Sequence, residues 1–168
     1  MPMIDAFVPQ GALEPDAEKT LMARLTDIVL EAEGLDPGNP TARKVSLVFL
    51  HRPAEVFVAG APAESPRYRI VCSVPEGQFD DERRAALVAA VTEAVLDAER
   101  GAHPRSSARV WVFPTEVPEG TWGSRGKIQR LSDIMGLVTG DPERGKEIAR
   151  ARLAVRQNEQ ERRGRAAG

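Results

Sequence analysis

The chain has 168 residues, 42% of them hydrophobic, and a formal net charge of −2; that is enough for one core and too little for two ordinary domains of about 100–150 residues each. Acidic and basic residues are interspersed, which argues against a nucleic-acid-binding face and against a disordered acidic block. Cys72 is the only cysteine and His51 and His103 are the only histidines, so an intramolecular disulfide is excluded and neither a structural zinc site nor any other metal site is expected.

The amino terminus lacks the charged start and apolar run of a signal peptide, and no later stretch reaches the roughly 18–20 apolar residues that span a bilayer. A cytoplasmic protein without a membrane partner or cofactor is therefore expected. Met3 to Val8 is a short, partly β-branched run that ends at Pro9 and Gly11, the pattern of a strand followed by a turn. Leu21, Leu25, Ile28, Val29 and Ala32 then recur at three and four residues, with Pro15 in the first turn and Gly34 after the last, which predicts a helix. A proline-containing loop leads to a second strand at Val45 to Leu50, whose largely apolar run predicts burial on both faces.

The same order then recurs. Tyr68 to Val74 reads as a strand, Leu87, Val91, Val95 and Ala98 as a helical stripe capped by Asp80 and stopped by Gly101, and Arg109 to Phe113 as a second buried strand. Shifted by 66 residues, Val8 to Glu33 aligns without a gap on Val74 to Glu99, with ten identities in twenty-six positions. Two amphipathic helices share alanines and leucines by chance, but not the Val-Pro-x-Gly turn before them. At a shift of 65, Val45 to Phe57 meets Val110 to Trp122, pairing Pro53 with Pro118 and Phe57 with Trp122.

The predicted architecture is α/β (α+β): two tandem βαβ units, at residues 1–60 and 67–135, form a four-stranded mixed sheet with two helices on one face. They make up a domain of residues 1–140. The other sheet face needs cover that these residues do not supply, so self-association is expected. Residues 141–168 carry few large apolar side chains among many charges, which predicts a solvated helical extension; packing across a neighbouring subunit is the alternative.

A start reading Met-Pro and a strand, followed by two βαβ units, resembles the tautomerase superfamily over roughly residues 2–135. MPMIDAFVPQG is similar to the opening of its duplicated-unit members, the group of macrophage migration inhibitory factor, malonate semialdehyde decarboxylase and cis-3-chloroacrylic acid dehalogenase. EVPEGTWGSRG resembles the turn after the second strand in relatives of 4-oxalocrotonate tautomerase. The resemblance implies the tautomerase fold, a homotrimer, and Pro2 as catalytic base for keto–enol isomerisation of a small carbonyl substrate, an oxo acid or aryl pyruvate. Chemistry agrees with that role: removal of Met1 would leave Pro2 a free secondary amine, and burial disfavours its ammonium form, bringing the base into range at neutral pH.

Resemblance also implies pocket roles for Trp111, Phe113 and Trp122, while Phe57 at the matching turn is expected in the core. The cations that relatives use for carboxylates are missing: the turn positions fall at Ala12 and Gln78 and the strand positions at Ser46 and Trp111, while the dehalogenase arginine pair falls at Pro75 and Gln78 and its glutamate near Ser124. Dehalogenation and decarboxylation are therefore not expected. Arg43, Arg69 and Arg125 are the candidate substitutes, with Arg125 favoured by its glycine-rich loop, and Lys44 and Lys127 lie beside them. His51 reads as a strand-end histidine. The alternative to an enzyme is a catalytically silent tautomerase-fold oligomer acting as a protein-interaction module.

Overall fold

The computed structural model describes residues 2–166; Met1, on whose removal the amino-terminal base depends, lies outside the described residues. In chain order the elements are β1 (Met3–Phe7), α1 (Pro15–Ala32), α2 (Pro40–Lys44), β2 (Leu47–His51), β3 (Phe57–Val58) and β4 (Ala61–Pro62). The second unit and the extension follow as β5 (Tyr68–Pro75), α3 (Asp81–Ala98), β6 (Val110–Val117), β7 (Gly123–Ser124), β8 (Lys127–Ile128), α4 (Leu131–Thr139) and α5 (Pro142–Ala166). The main sheet runs β2-β1-β5-β6. Strands are parallel within each unit and antiparallel where β1 meets β5, which is the mixed sheet expected of two crossover units.

Alternation along the strands decides what is buried. Ile4, Ala6 and Val8 of the first unit and Tyr68, Ile70, Cys72 and Val74 of the second face the helices, where Leu21, Leu25, Val29, Leu87, Val91 and Val95 close the core. Desolvation in that core pushes the Cys72 thiol up to about 12, which leaves it inert as a nucleophile. The expectation that the second strand of each unit is buried on both faces is corrected: β2 and β6 are the edge strands, and Leu47, Phe49, Trp111 and Phe113 stand exposed on the face away from the helices. Val45 is not in a strand but caps the short α2, whose first turn Asn39 closes by accepting hydrogen bonds from the N–H groups of Thr41 and Ala42.

The repeat survives at backbone level. Gly11 and Gly77 of the Val-Pro-x-Gly turns have φ of 75° and 89°. The hairpins β3–β4 and β7–β8 turn on Ala59-Gly60 and Arg125-Gly126, both pairs with positive φ, as a two-residue hairpin of the mirror-image type requires.

What breaks the symmetry is the carboxyl-terminal pair of helices. Beyond the repeat, α5 (Pro142–Ala166) carries Arg144–Glu147 and Lys146–Glu143 pairs among exposed side chains. Its Ile148, Ala149 and Leu153 nonetheless pack inward with Leu131, Ile134 and Met135 of α4, Trp122 and Met3. The three apolar residues suffice because α4 is itself rich in them, so the pair shares one seam. That seam is close: a Cβ at Gly145 would stand 2.6 Å from both the Gly136 Cα and the Ser132 carbonyl oxygen. Gly145→Ala should therefore force the helices apart, lowering the melting temperature and exposing α5 to limited trypsin digestion; unchanged protection of α5 would contradict this packing.

Candidate active site

Pro2 is buried at the start of β1, and its carbonyl accepts a hydrogen bond from the Leu47 N–H at 3.1 Å. Met3 pairs with Ser73 in the antiparallel register, so Pro2 lies across from Val74, just before the turn that joins β5 to α3. The crossover brings α1 back to the same end of the sheet, where Glu33 caps it and is fully buried. Desolvation raises the Glu33 carboxyl above its ordinary range, against the opposing pull of the Arg152 charge.

The repeat gives an internal comparison. Glu99, aligned with Glu33, is also a buried cap, and its Oε1 accepts from the hydroxyl of Tyr68, the residue aligned with Pro2, at 2.8 Å. Arg109 grips both oxygens of Glu99 and also donates to the carbonyls of Pro66 and Pro104. Desolvation, reinforced by the bond to Glu99, raises the Tyr68 hydroxyl well above its ordinary range and keeps it a neutral donor. The second unit thus fills with a phenol and an ion pair the place that the first gives to Pro2. Back at the Pro2 end, Glu116 of β6 reaches the turn between β5 and α3, where its Oε1 accepts from the N–H groups of Gly77, Gln78 and Phe79 at 2.9, 3.0 and 3.1 Å and its other oxygen holds Arg84.

At the opposite end of the sheet, on its bare face, a cleft of about 560 Å³ is lined by Phe7, Phe57, Arg69, Trp111 and Phe113 among others. The Arg69 guanidinium lies 4.9 Å from the Phe7 ring centroid and 5.2 Å from that of Phe113, within cation–π range of both. His51 stacks on Phe7 and shares a hydrogen bond of 2.7 Å with Asp5. Phe7 lies five residue steps along the chain from Pro2, roughly 16 Å at the ordinary strand rise.

Residues 70–130 match the family model described as tautomerase enzyme. Among solved structures, the chain is similar to Pt0534 inactivated by 2-oxo-3-pentynoate, at 23% identity over 76% of this chain and 94% of that one, with a TM-score of 0.61. The R7 fused 4-OT wild-type asymmetric trimer is similar at 18% identity over 75% and 94%, with a TM-score of 0.62. N1, a member of the cis-3-chloroacrylic acid dehalogenase family, is similar at 16% identity over 75% and 82%, with a TM-score of 0.60. The match covers less than half of the chain, and the chain as a whole resembles the tautomerase superfamily in its fold. A comparison with curated protein sequences finds no match.

On this tautomerase fold the residues singled out in the sequence separate into groups. Trp111, Phe113 and Arg69 come together at the bare-face cleft, and Pro2 sits at the other end of the sheet. Trp122, only 8% exposed, packs under α4 and α5, whereas Phe57, expected in the core, is 58% exposed at the cleft; the carboxyl-terminal helices cover one hairpin of the repeat and leave the other open. Arg43 on α2 is held by Asp27 and by the Pro37 carbonyl at 2.9 Å. Arg125 lies in the β7–β8 turn, beside a separate groove that it lines with Lys127. Sequence reasoning passed over Glu33, Glu99, Arg109, Glu116 and Arg152; for the first two the signal was there, since a glutamate ends both aligned helices. Among the described residues no group of three or more His, Cys, Asp or Glu is placed to hold a metal ion, and no helix is long and apolar enough to cross a membrane.

Proposed function

We propose that this chain is a tautomerase whose base is the secondary amine of Pro2, freed by removal of Met1, acting on a small oxo acid or aryl pyruvate. The observation that carries the reading is the burial of Pro2 immediately before β1 on a tautomerase-superfamily fold. An amine desolvated there loses more in its ammonium than in its neutral form, so it stays a base near neutrality. It takes the proton from the enol hydroxyl or from the carbon beside the carbonyl and returns it at the other site, with no net change in redox state. That Pt0534 is inactivated by 2-oxo-3-pentynoate makes 2-oxo acids the natural first probes here.

Two measurements test it. Intact mass should show a chain lacking Met1, and wild type should convert phenylenolpyruvate or 2-hydroxymuconate faster than Pro2→Ala; equal rates would remove Pro2 from the mechanism. Reaction with a 3-halopropiolate-type reagent should place a covalent adduct on the amino-terminal residue.

The assembly belongs to the same proposal. The 4-OT relative is a trimer, and the bare sheet face here exposes Leu47, Phe49, Trp111 (61%) and Phe113, large apolar side chains that neighbouring copies would cover. Light scattering should give three times the 18.3 kDa of one chain; the mass of a single chain would contradict it. The aromatic cleft also supports a second reading, a silent oligomer that docks a protein, which retained Met1 would favour.

A further inference from the structure

Between the turn that joins β5 to α3 and the body of α5 lies a cleft of about 240 Å³, lined by Gln78, Arg83, Arg152 and Arg156 among others. It is rich in donors and short of acceptors. Gln78 is 1% exposed; its Oε1 accepts from Arg152 Nη1, and its Nε2 has no acceptor among the described residues. A buried amide N–H group is ordinarily bonded, so an acceptor belongs there. Of the acidic groups near the cleft, Asp80 and Glu116 are held by other partners and Glu33 acts on Arg152 from behind. Asp80 caps α3 through the Arg83 N–H at 2.8 Å and lies 3.6 Å from the Arg83 guanidinium. Glu116 holds the turn, Arg84 and Arg156. Glu33 faces Arg152 from the end of α1.

We propose that α5 supplies the carboxylate-binding group of the active site: the Arg152 guanidinium and the Gln78 amide together receive the carboxylate of a small oxo acid in this cleft. The inference rests on the reading of Pro2 as the base. Placement supports the link. A Cβ at Gly34, after α1, would stand 3.6 Å from Arg152 Nη2, and one at Gly77, in the turn, 3.4 Å from Arg152 Cβ. Arg152 therefore bridges the two segments that flank the start of β1, where Pro2 lies across from Val74. A guanidinium presents five N–H donors in a fork that fits a carboxylate, and one of them already orients the Gln78 amide, leaving the Nε2 donor to the same ligand. Burial and the neighbouring charge of Arg83 work against the Arg152 cation, Glu33 offsets them only in part, and an incoming carboxylate adds to that support.

The test is calorimetric titration of the full-length protein with benzoate and with neutral benzamide, repeated on Pro2→Ala, Arg152→Ala and Gln78→Glu. Wild type and Pro2→Ala should bind benzoate and not benzamide. Arg152→Ala and Gln78→Glu should lose about ten- to hundredfold in benzoate affinity, the effect of removing one charge-assisted hydrogen bond. Gln78→Glu guards against misreading, because it leaves α5 seated on Arg152 while occupying the guanidinium with a carboxylate of the chain's own. With phenylenolpyruvate, Arg152→Ala should raise KM by a similar factor and change kcat less. Benzoate affinity unchanged in both variants, or benzamide bound as well as benzoate, overturns the proposal. If the two variants lose benzoate while Pro2→Ala turns over at the wild-type rate, it is the reading of Pro2 that falls, and with it the assignment of this cleft to a Pro2 site.

Discussion

Replacing Arg109 with alanine should lower the free energy of unfolding by about 3–5 kcal/mol, the usual cost of stranding one member of a buried ion pair. Arg109 is 4% exposed, and Glu99 is equally buried; the pair is bidentate, and Tyr68 adds a third hydrogen bond to the same carboxylate. Burial alone would push the Glu99 carboxyl up, but the bonds from Arg109 and Tyr68 outweigh it and hold the group below its usual range. A carboxyl depressed in the folded state stabilises the fold above its unfolded value, about 4.3, and the contribution is lost as pH falls through the folded value. Wild type should therefore lose stability on acidification below about pH 4, whereas Glu99→Gln should lack that part of the slope. Urea unfolding at pH 7 and pH 3 measures both; an Arg109→Ala loss under about 1 kcal/mol at pH 7 would mean that the pair is well hydrated in solution.

Legibility in the sequence followed how local the cause was. The two βαβ units, their turns, the Asp80 cap and the helix stops could be read because each depends on spacing within a few residues, and the repeat supplied every signal twice. Burial of β2 and β6 was misread because an edge strand and a central one carry similar apolar runs; what separates them is which strands sit beside them, and Phe49 and Trp111 do not encode that. Phe57 and Trp122 are aligned and chemically alike, yet the first is open and the second covered. The difference lies in α4 and α5, far along the chain, whose Ile148, Ala149 and Leu153 look sparse until Gly136 and Gly145 let the two backbones meet. The cation proposed for the substrate carboxylate is illegible for the same reason: Arg152 sits in a charge-rich helix where nothing local sets it apart from Arg150 or Arg156.

Pro2→Ala should reduce kcat/KM for phenylenolpyruvate by about two orders of magnitude, within the range that positioned general bases contribute. The substitution is sparing: alanine is also small enough to permit Met1 removal, and it leaves a primary amine at the same end of β1, so the residual rate reports what a less constrained base achieves. The pyrrolidine ring ties the nitrogen to Cδ and so restricts the direction of its lone pair, whereas the alanine amine rotates about its N–Cα bond. The loss should fall mainly on kcat, because the carboxylate contacts that set binding lie on Gln78 and Arg152 and not on position 2. Below the amine's pKa the wild-type rate should rise with pH as the ammonium is lost, and desolvation should put that midpoint below the value near 8 of a free α-amino group. A midpoint at or above 8 would mean that the amine stays solvated, or that the buried Glu33 carboxylate beside this end of the sheet stabilises its protonated form. Glu33→Gln separates these: if the carboxylate is responsible, neutralising it should move the midpoint down, and if solvation is responsible, it should leave the midpoint where it was.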